Sequence, residues 1–260
     1  MKQFFIILAL LSLFVGCSSS NDDSIQFEVA TADKTVRLDS NENAPSCSVH
    51  LEIAYAAESN GPKAEIINNL IEKRLLNRTD LPMQQAADKF VDEYTARYEE
   101  VLLPLYNEDK DQGNVKKMAK YDYHYNVKTA TEQGRPGVLV YHIYMDYYEG
   151  GEHTVNLHLP MNFEESTGRQ LMLSDIFVPD YEDTLSALLQ QALCKHVDVE
   201  DLEGLRAKGY LNNMDMYPSD DFILSEETIT FIYNTDDIAP FDKGTIELIL
   251  PYTALDKILK

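Results

Sequence analysis

The sequence predicts an α+β fold in which antiparallel sheets carry helices packed on one face. Two observations lead to this prediction. Apolar residues recur at helical spacing between residues 63 and 101, and from residue 121 the pattern changes to the alternation typical of strands. The composition fits a globular protein of 260 residues, because 44% of the side chains are hydrophobic and 25% are charged.

The first predicted elements are one strand and two helices. Alternating apolar residues predict a half-buried strand over residues 47–56. A helix over 63–77 follows, since its apolar residues recur every three or four positions. A second helix is predicted to be capped by Thr79 or Asp80 and to end at Pro104, because proline disrupts a helix interior.

Three strands then form a predicted antiparallel meander. Tyrosines alternate with polar residues over 121–127, and longer alternating segments occupy 138–148 and 152–163. The residues at 134–137 and the pair at 150–151 are glycine-containing turns, which suit short hairpin connections.

The last part of the chain predicts a further helix and a second group of strands. The helix covers residues 184–196, and the strands cover 222–224, 229–235 and 245–250. A short terminal helix is predicted at 253–259.

The N-terminus resembles a bacterial lipoprotein signal peptide. Lys2 precedes an apolar run over residues 4–15, which is shorter than the roughly 20 residues of a membrane-spanning helix. The run ends at Cys17, so residues 1–16 are the predicted signal and Cys17 is the predicted lipidation site. The resemblance implies an extracytoplasmic protein anchored to the membrane by lipid, on the periplasmic or the surface side of an outer membrane.

Residues 17–45 are predicted to be a tether and linker. They are polar and weakly patterned, and ordered structure is expected to begin near Ser46. An edge strand at residues 26–30 is the alternative within this segment.

The charge of the chain excludes some partners. Lys and Arg number 22 against 44 Asp and Glu, so the formal net charge is 22 − 44 = −22. Nucleic acid is therefore not an expected partner, because phosphate binding needs Lys and Arg on one face. A strongly cationic protein would instead be attracted over long range.

The cysteines and histidines do not form a recognisable metal motif. Two cysteines remain besides Cys17, and either a disulfide between Cys47 and Cys194 or two buried free thiols is compatible with the sequence. His153 and His158 are the tempting metal pair, but an odd separation along a strand places their rings on opposite faces. No metal and no cofactor is expected.

The sequence also lacks familiar catalytic motifs. It contains no His-Glu-x-x-His, no Gly-x-Ser-x-Gly and no phosphate-binding glycine loop. The tyrosine-rich strands are explained by the preference of tyrosine for pleated surfaces, although the same side chain is favoured at binding surfaces.

Several segments, in order, resemble the RsiV-like extracytoplasmic domain. They are Tyr-Tyr-Glu-Gly-Gly-Glu-His at 147–153, Thr-Gly-Arg at 167–169, Leu-Ser-Asp-Ile-Phe at 173–177 and the segment 237–244. Residues 49–55 resemble the domain that precedes it, which also occurs in deacetylases of the PdaC type. The resemblance implies an N-terminal α+β domain at 46–150 and a C-terminal α+β domain at 151–260, or one unit made of both. It also implies a lysozyme-like protein as a candidate partner, since RsiV binds lysozyme.

The expected function is that of a cell-envelope binding module for a protein, with a cationic lysozyme-like protein as the leading candidate, or for a cell-wall glycan. Two alternatives remain, namely a cell-wall hydrolase that uses acidic residues and a structural subunit of an envelope complex. Loops on a rigid sheet commonly carry function, so the candidate binding residues come from the 150–151 turn and the 236–244 loop. They are Tyr148, Glu149, Gly150, Gly151, Glu152, His153, Asp236, Asp237, Phe241 and Gly244.

Overall fold

The computed structural model describes residues 24–113 and 120–260. The predicted signal peptide and the predicted lipidation site at Cys17 lie outside these residues. Within the described ranges, no helix has the combination of length and apolar character that crossing a membrane requires.

Six strands form the larger sheet, in the spatial order in which they occur along the chain. They are β1 (Phe27–Arg37), β2 (Ser46–Ala56), β3 (Tyr123–Gln133), β4 (Val138–Glu149), β5 (Val155–Glu164) and β6 (Gln170–Leu171). The meander of β3, β4 and β5 is antiparallel, as the sequence predicted. β2 and β3 pair in parallel, which requires a long crossover, and the two long helices between them provide it.

The two crossover helices cover one face of this sheet, here called the inner face. Helix α1 (Pro62–Leu76) buries Ile67 and Ile71, and helix α2 (Met83–Asp111) buries Val91 and Tyr98. Their apolar stripes meet the alternating buried residues of β2, such as Leu51. The α+β class predicted from the sequence, with helices on one face, is therefore confirmed, but the larger sheet is mixed rather than antiparallel because β2 and β3 are parallel.

A smaller antiparallel sheet carries the second hydrophobic core. Its strands are β7 (Phe222–Leu224), β8 (Thr228–Tyr233) and β9 (Ile246–Pro251). Helices α3 (Leu173–Ile176), α4 (Glu182–Val197), α5 (Leu202–Ala207) and α6 (Tyr252–Leu255) accompany them. Helix α4 contributes Leu185, Leu189 and Leu193, which are fully buried against this sheet.

Asparagine side chains join the two sheets. The amide of Asn162 on β5 donates to the carbonyl of Phe222 at 2.7 Å and accepts from the backbone N–H of Leu224 at 2.9 Å. Asn234, just after β8, binds the backbone N–H and C=O of His158 at 2.7 and 3.1 Å. Each amide thus forms hydrogen bonds with backbone groups at a sheet edge that have no partner on a neighbouring strand.

The segment predicted to be a linker contains a full strand. β1 pairs with β2 along its whole length, from Phe27 opposite Ala56 to Arg37 opposite Ser46, so ordered structure begins well before Ser46. The sequence signal was weak because the buried residues of β1, Ala30 and Ala32, are small.

Helix α2 differs from its predicted bounds at both ends. It begins at Met83 without a side-chain cap from Thr79 or Asp80, and it continues through Pro104 to Asp111. Beyond the proline, Tyr106 remains buried in the core. This packing outweighs the local cost of a proline in a helix, which is about 3 kcal/mol.

The predicted division after residue 150 falls inside a hairpin. β5 follows it and belongs to the same sheet as β4. The buried side chains separate further along the chain, with one core formed by residues 25–163 and the other by residues 171–258 together with Val138.

Candidate functional site

The face of the larger sheet opposite α1 and α2, here called the outer face, collects polar side chains. Strand register decides this, because paired residues on neighbouring strands point to the same side. Four of the six histidines in the sequence lie on this face, and they are His50, His124, His142 and His158. The second sheet contacts β4 and β5 through β7, where Asn162 of β5 binds the β7 backbone.

One row of side chains crosses five strands of the outer face. The residues in register are Asp33, His50, Asn126, Asp146 and Asn156. His50 contacts Asp33 through Nδ1, and the Asn126 amide donates to Asp146 Oδ2 at 2.8 Å. These contacts hold the planar side chains in place before any ligand arrives.

The adjacent row contains Glu52, Lys128, Tyr144 and His158. The Lys128 ammonium lies 3.7 Å from Glu52 Oε1. The rings of Tyr144 and His158 stack with centroids 4.6 Å apart, yet Tyr144 keeps 45% of its surface exposed. An aromatic ring of this kind offers an apolar face beside hydrogen-bonding groups.

A histidine pair borders the second row. His142 Nδ1 and His158 Nε2 are 2.9 Å apart and share one hydrogen bond. His142 is 6% exposed, and its Nε2 lies 3.2 Å from Glu132 Oε1 without the geometry of a hydrogen bond. Burial, reinforced by repulsion from His142, lowers the pKa of His158 to about 4. His158 is therefore neutral at pH 7.

The two rows line a shallow depression of about 390 Å³. Its rim on the side of the second sheet is Thr245, next to the first residue of β9. Carboxylates, amides, an ammonium group and a tyrosine ring all face it, so it can form many hydrogen bonds and one stacking contact. Among the described residues no group of three His, Cys, Asp or Glu side chains is arranged to hold a metal ion.

The predicted site residues at the β4–β5 turn separate to different places. Tyr148 lies on the outer face, where its ring stacks on His124 with centroids 6.1 Å apart. Gly150 has a φ of 75°, and an added Cβ would collide with the Lys120 carbonyl. Gly151 and Glu152 are exposed in the turn.

The two predicted loops do meet at one point. His153 stacks on Phe241 with ring centroids 4.1 Å apart and an interplanar angle of 12°. Asp237 instead folds back on its own loop and accepts a hydrogen bond from the backbone N–H of Asn234 at 2.6 Å. Asp236 and Gly244 have positive φ values and shape the turns.

Glu149 points to the inner face, away from Tyr148. It accepts a hydrogen bond of 2.6 Å from the hydroxyl of Tyr94 on α2. It lines a separate pocket between α2 and the ends of β3 and β4.

The structure distinguishes the two alternatives for the cysteines, a disulfide or two buried free thiols. Cys47 and Cys194 are free and buried, and they lie in different hydrophobic cores. A disulfide between them is therefore not formed.

Sequence reasoning did not identify the outer face as a site. The alternation of tyrosines with Asp122, His124, Asn126 and Lys128 showed that β3 has a polar side. It could not show which residues of β2, β4 and β5 share that side, because the strand order and register are needed for this.

Comparison with known proteins identifies a domain family and a shared fold. Residues 174–253 match a family described as a protein of unknown function, DUF3298. A crystal structure of a DUF3298 family member from Bacteroides fragilis is similar at 26% identity and a TM-score of 0.85, covering 93% of this chain and 96% of that one. A DUF3298 family protein from Pseudomonas aeruginosa is similar at 18% identity and a TM-score of 0.62, covering 92% and 96%. No curated protein matches the chain.

Proposed function

We propose that this chain is a cell-envelope binding module, anchored through a lipid on Cys17, and that the outer face of its larger sheet binds cell-wall glycan. The observation that carries the proposal is the open depression in which polar side chains from two rows lie beside the exposed ring of Tyr144. The lipoprotein signal and the resemblance to RsiV-like extracytoplasmic domains support the location.

The chemistry of the depression suits a sugar. A pyranose has an apolar C–H face that packs on an aromatic ring, and a rim of hydroxyl groups that both donate and accept. Tyr144 provides the ring, and the side chains of Asn126, Asp146 and Asn156 provide donors and acceptors at fixed positions. A shallow site on a rigid sheet also leaves room for a polymer to extend at both ends.

Binding is favoured over hydrolysis. Glycoside hydrolysis uses a carboxyl group whose raised pKa keeps it protonated as the general acid. The carboxyl groups of Glu72, Asp221 and Asp237 have raised pKa values, and none of these three residues lines the depression. Glu52 and Asp146, which do line it, provide side-chain oxygen atoms that can accept hydrogen bonds from a ligand.

The test is calorimetric titration of the soluble chain beginning at Ser18 with a peptidoglycan-derived tetrasaccharide. Loss of one stacking contact is worth about 1 kcal/mol, so Tyr144→Ala should weaken binding about fivefold to tenfold. Tyr217→Ala is the matched control, because Tyr217 is 38% exposed and does not line the depression. Equal affinities for the wild type and Tyr144→Ala would contradict the proposed site.

A cationic protein is the second candidate ligand, and the net charge of −22 favours it. Titration with lysozyme at low and physiological salt, with cytochrome c as an equally cationic control, tests this candidate. Binding of lysozyme alone that survives physiological salt would support it. If both proteins bind equally and salt weakens both interactions, the binding is non-specific charge attraction and this candidate is rejected.

A further inference from the structure

A second pocket lies on the inner face of the larger sheet, opposite the depression that we propose as the glycan-binding site. It has a volume of about 240 Å³ and opens between α2 and the ends of β3 and β4. Three tyrosines line it, with Tyr94 and Tyr98 from α2 and Tyr123 from β3. Glu149, the last residue of β4, adds a carboxylate.

The aromatic walls are held in place by packing and hydrogen bonds. The rings of Tyr98 and Tyr123 are 5.3 Å apart between centroids and tilted by 57°, so they form two walls of a corner. Tyr98 is 3% exposed, and its hydroxyl donates to the carbonyl of Tyr121 at 2.8 Å. The pocket therefore exists without a ligand.

The carboxylate is fixed as well. The Tyr94 hydroxyl donates to Glu149 Oε1 at 2.6 Å. Burial and this hydrogen bond raise the pKa of Tyr94, so the phenol stays neutral and keeps donating at all physiological pH values. Glu149 itself is exposed at the mouth of the pocket.

The electrostatics favour a cation. The faces of aromatic rings carry partial negative charge and attract ammonium groups, and a carboxylate at the mouth adds direct attraction. Val101 and Leu102 line the rest of the wall and suit an alkyl chain. The exposed Arg97 also borders the pocket and is the group that an incoming cation would have to avoid or displace.

We propose that this pocket binds the alkylammonium group of a lysine side chain presented by a protein partner. A long aliphatic stem would pack on Val101 and Leu102 while its ammonium group meets the tyrosine rings and Glu149. The strongly acidic chain would bring a lysine-rich surface close, since opposite net charges steer encounter. The pocket and the depression lie on opposite faces of the sheet, so the lysine-binding proposal and the glycan-binding proposal can be refuted independently.

The experiment measures binding of Nα-acetyl-lysine methylamide to the soluble chain from Ser18 by NMR, observing the tyrosine ring signals. The norleucine analogue, which lacks the ammonium group, tests for the charge. Glu149→Gln removes the carboxylate but keeps an oxygen that can accept from Tyr94. Glu100→Gln is the matched control, because it removes one negative charge from an exposed position on α2 that does not line the pocket.

The expected result is that the lysine analogue binds at least fivefold more tightly than the norleucine analogue, with the Tyr98 and Tyr123 ring signals shifting. Glu149→Gln should lose at least fivefold in affinity and Glu100→Gln should lose none. Equal binding of both analogues, or equal effects of both variants, would overturn the proposal. Tighter binding of choline than of the lysine analogue would assign the pocket to a quaternary ammonium ligand and would also overturn it.

Discussion

Acidification should destabilise the protein through one residue, His158. Its ring is packed between His142 and Tyr144, where burial disfavours the charged form. His158 is therefore protonated below about pH 6.5 in the unfolded chain but only at lower pH in the folded protein. Stability due to this residue is complete above pH 6.5 and is lost as the pH falls towards the folded-state pKa of about 4.

The magnitude follows from the two pKa values. At pH 7 the unfolded His158 is mostly neutral, and at pH 4.5 it is almost fully protonated, whereas the folded residue remains mostly neutral. Between these two pH values the free energy of unfolding should fall by about 2 kcal/mol on account of His158 alone.

The assay is urea denaturation followed by circular dichroism, at pH 7 and at pH 4.5, for the wild type and for His158→Phe. Phenylalanine keeps a ring to stack on Tyr144 but cannot titrate. The pH-dependent loss of stability should be about 2 kcal/mol smaller in the variant than in the wild type. His196→Phe is the matched control, because it makes the same substitution at an exposed histidine at the end of α4.

The comparison between proteins isolates His158 from other titrating groups. If the wild type and His158→Phe lose the same free energy between pH 7 and pH 4.5, the ring is not held neutral by its surroundings and the reasoning is refuted. A different loss in His196→Phe would show that general charge effects dominate.

Three further predictions concern groups outside the histidine pair. Burial raises the pKa of Asp221 to about 6, so the folded protein is destabilised above that pH, where this buried carboxyl group is ionised. Asp221→Asn should therefore stabilise the protein by about 1–2 kcal/mol at pH 8 and not at pH 4, as measured by urea denaturation. Asn234→Ala removes both hydrogen bonds to the backbone of His158 and should cost about 2–3 kcal/mol, measured in the same way, whereas no loss would show that water replaces the amide. In the soluble chain from Ser18, Cys47 and Cys194 should resist a thiol reagent until the protein is unfolded in urea, and rapid labelling of the native protein would contradict their burial.

Local patterns were sufficient for most of the fold. The alternation over β2, β3 and β4 and the helical spacing of α1 and α4 each depend on residues close in sequence, and the structure contains all of these elements. β1 was read as linker because the residues it buries are alanines, which give little hydrophobic signal. Helix α2 passes Pro104 because tertiary contacts beyond the proline decide its length.

The candidate site was harder to predict than the fold. The depression joins His50 from β2 with Asn126, Asp146 and Asn156 from three other strands, and their proximity depends on the parallel pairing of β2 with β3. No local pattern specifies that pairing. The prediction centred on the 150–151 turn included Tyr148 and Glu149, but it could not show that these two residues lie on opposite faces of one sheet.

The position of Ile25 determines how far the protein could extend from a membrane if it carries the proposed lipid on Cys17. Ile25 is buried in the first core, and the backbone of Gln26 is bonded to Asn60 and Ala57. Eight residue steps separate Ile25 from Cys17, and a fully extended chain of that length spans about 30 Å. A lipid on Cys17 would therefore confine the whole molecule to a thin layer next to the bilayer. A ligand of either proposed surface would then be bound only close to the membrane, and inserting a long flexible spacer before Ile25 would extend that distance.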